Sequence, residues 1–211
     1  MIQGDVKMYL IGICGASGSG KSTLANELIT RIGIDNCYVL QQDAYYIDHS
    51  DISFEQRCLL NYDKPDMFDH DLLLEDVAEL MEGRPVTRKR YDFTRHCRDD
   101  NPDELVFPRK VMIIEGIHSF YDQRLLDMMN MKLYINVEQD ICLLRRIHRD
   151  IKERGRDIDE ISKRYLDDVK PMFDKYIRNY IRHADVIVAG GGENTAIADM
   201  IVGYVKDSIL L

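Results

Sequence analysis

A chain of 211 residues, 45% apolar and 31% charged, has ordinary soluble composition and enough length to bury a core. Its formal charge of −9 argues against a general binder of nucleic acid or anionic membrane, since both partners attract an excess of positive charge. Apolar runs such as Val111–Ile114 are strand-length and far too short to span a bilayer.

No charged segment followed by an apolar stretch and a small-residue cleavage site opens the chain. The five cysteines, Cys14, Cys37, Cys58, Cys97 and Cys142, show neither metal-clip nor redox spacing. A cytoplasmic protein with unpaired thiols is expected.

Tyr9–Cys14 reads as the first strand. Gly15-Ala16-Ser17-Gly18-Ser19-Gly20-Lys21-Ser22 follows it and fits G-x-x-x-x-G-K-[ST]. A helix over Lys21–Arg31 comes next, with Leu24, Leu28 and Ile32 four apart. Glycines between a strand and a helix let backbone N–H groups wrap phosphates, while Lys21 reaches the outer phosphates and Ser22 offers a hydroxyl to magnesium. This is the site of a phosphoryl donor, ATP or GTP.

Cys37–Leu40 is the second strand and delivers Asp43. A kinase for an alcohol needs a carboxylate to take the hydroxyl proton, although strand-end aspartates are also common solvated caps. Asp69 caps a helix reaching Glu82, with Gly83 just past its end. Residues 84–108 lack helical periodicity, hold Pro85, Pro102 and Pro108, and read as a hairpin-like excursion.

Val111–Glu115 is the third core strand. Beside a phosphate loop, its terminal Glu115 suits the magnesium water shell, the alternative being a loop acid. Lys132–Val137 is the fourth strand. The helix from about Gln139 carries Arg145, Arg146, Arg149, Lys152, Arg154 and Arg156, within a lid region of about 145–165. Such a cluster suits a lid over transferring phosphates; Asp150, Glu153 and Asp157 between them leave a solvated, salt-bridged face open. A helix over Asp157–Tyr180, a fifth strand over Asp185–Ala189 and an amphipathic helix over Thr195–Leu210 complete the pattern.

Alternating strands and helices without a linker predict one α/β domain over residues 1–211, a parallel sheet with helices on both faces. Ligands then bind beyond the carboxyl ends of the strands. Tyr91, Phe93 and His96 in the excursion, with Tyr62 and Asp63, suit a flat heterocycle and a sugar diol, though loop aromatics also cover core edges. His49, His70, His118, His148 and His183 show no metal-ligand spacing and receive no role.

These motifs together resemble the uridine kinase (uridine–cytidine kinase) family of P-loop kinases over nearly the whole chain. They run in family order: Gly15–Thr23, Gln42-Asp43-x-Tyr-Tyr, Asn61-Tyr62-Asp63-Lys64-Pro65-Asp66, Tyr91-Asp92-Phe93 and Glu115-Gly116-Ile117. The long block from Arg145 to Asp157 follows.

The resemblance implies a P-loop NTPase fold with sheet order 2-3-1-4-5, and Mg²⁺-dependent transfer from ATP or GTP to the 5′-hydroxyl of uridine and cytidine in pyrimidine salvage. Asp43 then activates the hydroxyl. Ser22 and Glu115 stand on the magnesium side, and Gly15 through Thr23 hold the donor. Asp63 and Arg146 hold the ribose hydroxyls, while Tyr91, Phe93 and His96 meet the base. Arg149, Arg154 and Arg156 surround the phosphates and nucleoside. The implied assembly is a homotetramer.

Three residues depart from the family pattern. Arg164 stands where a glutamine contacts the nucleoside, Ala189-Gly190 replaces Pro-Arg near the donor base, and Lys64 replaces a histidine. A kinase for another small alcohol, such as a sugar phosphate, is the nearest rival, because Arg164 offers a contact for an anionic acceptor. A regulatory NTPase is the second, although no N-K-x-D or T-K-x-D guanine-reading motif is present.

Overall fold

The computed structural model describes residues 8–210; residues 1–7, on which the reading of the chain's start rests, and residue 211 lie outside the described residues. In chain order the first half holds β1 (Tyr9–Gly15), α1 (Lys21–Ile32), β2 (Cys37–Gln41), α2 (Phe54–Cys58) and α3 (His70–Met81). Four short strands follow: β3 (Val86–Thr87), β4 (Tyr91–Asp92), β5 (Cys97–Arg98) and β6 (Leu105–Val106). The second half holds β7 (Val111–Glu115), α4 (Gln123–Met128), β8 (Met131–Asn136) and α5 (Gln139–Arg154). It ends with α6 (Ile158–Arg164), α7 (Lys170–Lys175), β9 (Val186–Ala189) and α8 (Thr195–Ser208).

The main sheet is parallel, in the order β2-β7-β1-β8-β9. Counting only its own strands, that is the 2-3-1-4-5 order of a P-loop fold. β1 lies at its centre because it is apolar on both faces. Ile11 and Ile13 pack with Leu24 and Leu28 of α1 and Ile201 and Val205 of α8. Leu10 and Cys14 point the other way, into a cluster with Leu73, Val77, Phe120 and Phe173. A strand covered on both faces reads as an unbroken apolar run, as this one does.

Local chemistry sets the helix ends. The Asp69 carboxylate accepts a hydrogen bond from the Leu72 N–H, and Gly83 past the far end has φ of +85°. The helix expected over Asp157–Tyr180 is not continuous. Pro171 has no N–H to donate to the turn before it, and the chain widens into a π turn at Tyr165–Val169. After α7 it tightens into a 3-10 turn at Ile177–His183.

The excursion at 84–108 is two nested antiparallel pairs, β3 with β6 and β4 with β5, rather than one hairpin. The break falls at Lys89, whose ammonium turns inward to the buried Asp76, 3.6 Å away. All five cysteines are unpaired. Among the described residues no helix is long and apolar enough to cross a membrane.

Candidate functional site

The parallel strands end on one edge, where the phosphate loop, Asp43, Glu115 and α5 converge. Two glycines let the loop sit there. A side chain on Gly18 (φ +83°) would begin 2.4 Å from the Cys142 carbonyl oxygen, and one on Gly20 (φ +98°) 2.6 Å from the Gly192 nitrogen. Lys21 Nζ donates to the Ala16 carbonyl at 2.9 Å, holding the ammonium over its own loop.

Ser22 Oγ donates to Glu115 Oε1 at 2.8 Å. Burial pushes the Glu115 carboxyl up and Asp43 adds to this, while Lys21 and the Ser22 hydroxyl oppose it. A buried carboxylate beside a hydroxyl and a second carboxylate fits a divalent cation that takes its remaining ligands from phosphates and water. Ser17, Gly18, Gly20, Lys21, Ser22 and Thr23 line one open cleft. Gly15, Ala16 and the fully buried Ser19 lie in the same loop but do not line it.

Asp43 sits in the 3-10 turn Gln42–Tyr45 at the exit of β2. Both flanks of that turn are pinned. The buried Gln42 side chain accepts the His118 backbone N–H at 2.9 Å, Tyr45 donates to Asp76 at 2.9 Å, and Tyr46 donates to the Tyr62 carbonyl at 3.1 Å. On its outer side Asp43 faces a second, narrower cleft.

That cleft gathers Asp63, Tyr91, Phe93, His96, Arg146 and Arg156. Tyr46 is its aromatic floor, stacked on Phe68 at 4.3 Å between centroids and tilted against Tyr91 at 4.9 Å. His96 stacks on Tyr62 at 4.8 Å and, at φ +50°, is the one non-glycine described residue in the left-handed region. Burial and the nearby Arg156, Arg164, Arg154 and Arg57 charges push its pKa down to about 4, so the imidazole is neutral at pH 7. Its Nδ1 has no protein partner.

Arg146, Arg149 and Arg154 of α5, with Arg156 just past its end, form a built cluster, while Arg145 and Lys152 stay exposed. Asp150 is fully buried and lies 2.8 Å from Arg149, 3.3 Å from Arg154 and 3.5 Å from both Arg146 and Arg156. Burial alone would raise its pKa; Arg149, Arg154 and Arg146 overcome that and hold it below the usual carboxylate range. Arg146 continues the network to Ser17 Oγ at 3.1 Å and Asp63 at 3.6 Å. Arg154 lies 4.3 Å above the Phe93 ring. Ser17, Asp43, Ile117 and Arg149 line both clefts, so the two chambers meet at Asp43 and Arg149.

Residues 10–196 match the model of the Phosphoribulokinase / Uridine kinase family. The chain belongs to this family. A uridine kinase of Ligilactobacillus salivarius is 38% identical over 207 residues, covering 98% of this chain and 97% of the relative. One from Vibrio atlanticus is 42% identical over 200 residues, covering 93% of each. Among solved structures, a candidate fructose transport system kinase of Silicibacter sp. TM1040 superposes with a TM-score of 0.67 at 22% identity. The match covers 86% of this chain and 89% of that one, and shows a shared fold.

Within this family frame, several residues at the site carry no motif of their own. Asp150 reads in sequence as one acid among arginines, and only its burial shows it to be their hub. His118, given no role from sequence, is fully buried and bridges three segments. Its Nε2 lies 2.7 Å from the Asp63 carbonyl, which can only accept, so Nε2 carries the proton and Nδ1 accepts from the Tyr180 hydroxyl at 2.9 Å.

Of the three departures, Arg164 lines the aromatic cleft but donates to Glu160 at 2.9 Å and to the Cys58 carbonyl at 2.8 Å. Lys64 is exposed. At the third, Gly190 and Gly191 take φ of +79° and +105°. Arg145 Nη1 lies 3.0 Å from where a Gly191 side chain would begin, and Arg145 lines the phosphate cleft.

Proposed function

We propose that this P-loop kinase domain transfers the terminal phosphoryl of ATP or GTP to the 5′-hydroxyl of uridine, and of cytidine. The observation that carries this is the meeting of the phosphate-loop cleft and an aromatic cleft at Asp43 and Arg149. The full-length relatives named uridine kinase support the same acceptor.

The donor lies along the loop with Lys21 on its outer phosphates. The aromatic cleft holds the nucleoside with its 5′-hydroxyl at Asp43, which accepts the proton as the oxygen attacks in line. The oxygen–phosphorus bond to the donor breaks as the new one forms, and Lys21, Arg149 and Arg154 face the charge that spreads over the phosphoryl oxygens. Ser22 and Glu115 would hold Mg²⁺, which when bound screens the phosphate charges. Asp63 and Arg146 hold the ribose hydroxyls, and neutral His96 reads the base with Tyr91, Phe93 and Arg156 around it.

Arg164 weakens the sugar-phosphate alternative, since two of its donors are already engaged by Glu160 and Cys58. A cytoplasmic homotetramer is the working assembly, to be checked by light scattering. The deciding assay offers ATP and GTP with uridine, cytidine, purine nucleosides and sugar phosphates. Asp43→Asn should lose roughly 10²–10⁴-fold in kcat, the usual worth of a positioned base, while still binding nucleotide. Turnover confined to a non-nucleoside acceptor, or a fully active Asp43→Asn, would defeat the reading.

A further inference from the structure

Asp168 lies in the π turn between α6 and α7 and lines the acceptor cleft together with Asp63. The cations one turn before it are committed elsewhere. Lys163 pairs with Asp167 at 2.6 Å, and Arg164 is tied to Glu160 and to the Cys58 carbonyl. Asp168 therefore presents its carboxylate to the cleft with the Arg164 charge acting on it only from a distance. Burial, then the charge of Asp63, pushes its pKa up; Arg164 and Lys163 offset this only in part. Two carboxylates thus share one partly desolvated chamber: Asp63 has Arg146 at 3.6 Å, whereas Asp168 has room for a hydroxyl donor from a ligand.

We propose that Asp168 is a second hydroxyl-reading carboxylate of the acceptor site, paired with Asp63 so that the cleft selects a vicinal diol. The inference rests on the nucleoside reading above and deepens it. An ionised carboxylate only accepts, and a diol brings two donors, one for each acid. A substrate lacking the hydroxyl that meets Asp168 leaves that acid partly desolvated without a donor. The π turn places Asp168 there: the extra residue it accommodates rotates the helix face between Arg164 and Val169, and Val169 is buried behind it. Arg164 spends two of its donors on Glu160 and the Cys58 carbonyl, so its charge offsets that of Asp168 only in part.

The test measures kcat and KM for uridine, 2′-deoxyuridine and 3′-deoxyuridine with wild type, Asp168→Asn and Asp168→Val. In wild type, uridine should have a KM roughly 10–100-fold below that of one deoxy analogue, the worth of a hydrogen bond to a charged group. In Asp168→Val that advantage should shrink to within about threefold for that analogue, with kcat on uridine changed little, as removal of ground-state binding requires. The isosteric Asp168→Asn should fall between the two and keeps the test standing if the valine variant folds poorly. An unchanged discrimination ratio, or an equal rise in KM for all three substrates, overturns the role of Asp168 alone. A wild type that phosphorylates no nucleoside overturns the acceptor assignment and this inference with it.

Discussion

Replacing Asp150 with asparagine keeps the shape of the side chain and removes the charge on which four guanidiniums converge. Arg146, Arg154 and Arg156 are nearly buried, with side chains 8%, 17% and 11% exposed, whereas Arg149 is 31% exposed and can turn to water. Breaking a buried ion pair costs about 3–5 kcal/mol, because the remaining charge stays desolvated and unpaired. Partial escape of Arg149 places the expected loss near the lower end, about 3 kcal/mol. For a chain of this size that corresponds to a fall in Tm of roughly 6–12 °C.

Function should suffer separately. Mutual repulsion moves the arginines that the proposed function sets around the phosphoryl group, and a misplacement of about 1 Å costs on the order of 10²-fold in rate. Urea unfolding gives the first quantity and steady-state kinetics the second, both on the full chain. Asp150→Asn with stability within about 1 kcal/mol of wild type and kcat/KM within about threefold would refute the buried-hub reasoning.

Two further outcomes follow from the geometry. Gly18→Ala forces a left-handed alanine against the Cys142 carbonyl, so stability should fall by about 1–3 kcal/mol and calorimetry should show weakened nucleotide binding. An unchanged affinity would mean that the loop can relax around a methyl group. The second outcome concerns pH. Burial, opposed in part by its bond to Asp63, pushes the His118 pKa down to about 4. A depressed folded-state value means the stabilisation is present above the unfolded value near 6.5 and is lost as pH falls from there towards 4. The loss approaches about 3 kcal/mol, and the slope of stability against pH in that window should be steeper in wild type than in His118→Gln. Parallel slopes would contradict the burial of a neutral imidazole.

Much of the site is legible in the chain because its parts are local. Gly15 through Ser22 specify a phosphate loop through spacing alone, and the position of a residue just past an apolar strand tells which edge of a parallel sheet it reaches. That is why Asp43 and Glu115 are readable as site residues, and why the capped helix from Asp69 to Gly83 is found nearly to the residue. Local patterns fail where the decisive quantity is burial. Asp150 and Glu153 are both acids among arginines in sequence, yet one is fully buried and the other exposed. Nothing in the pattern around His118 shows that its two ring nitrogens meet groups from chain segments 55 and 62 residues away.

Hydrophobic period, glycine spacing and the lysine that follows specify the layering of helices on a parallel sheet, the phosphate loop and the strand ends around it. Packing alone sets four arginines around a buried acid, engages two donors of Arg164 with Glu160 and Cys58, and brings Asp168 into one cleft with Asp63. Those outcomes depend on which charges lose their water and which partners they then meet, and both are properties of the packed chain.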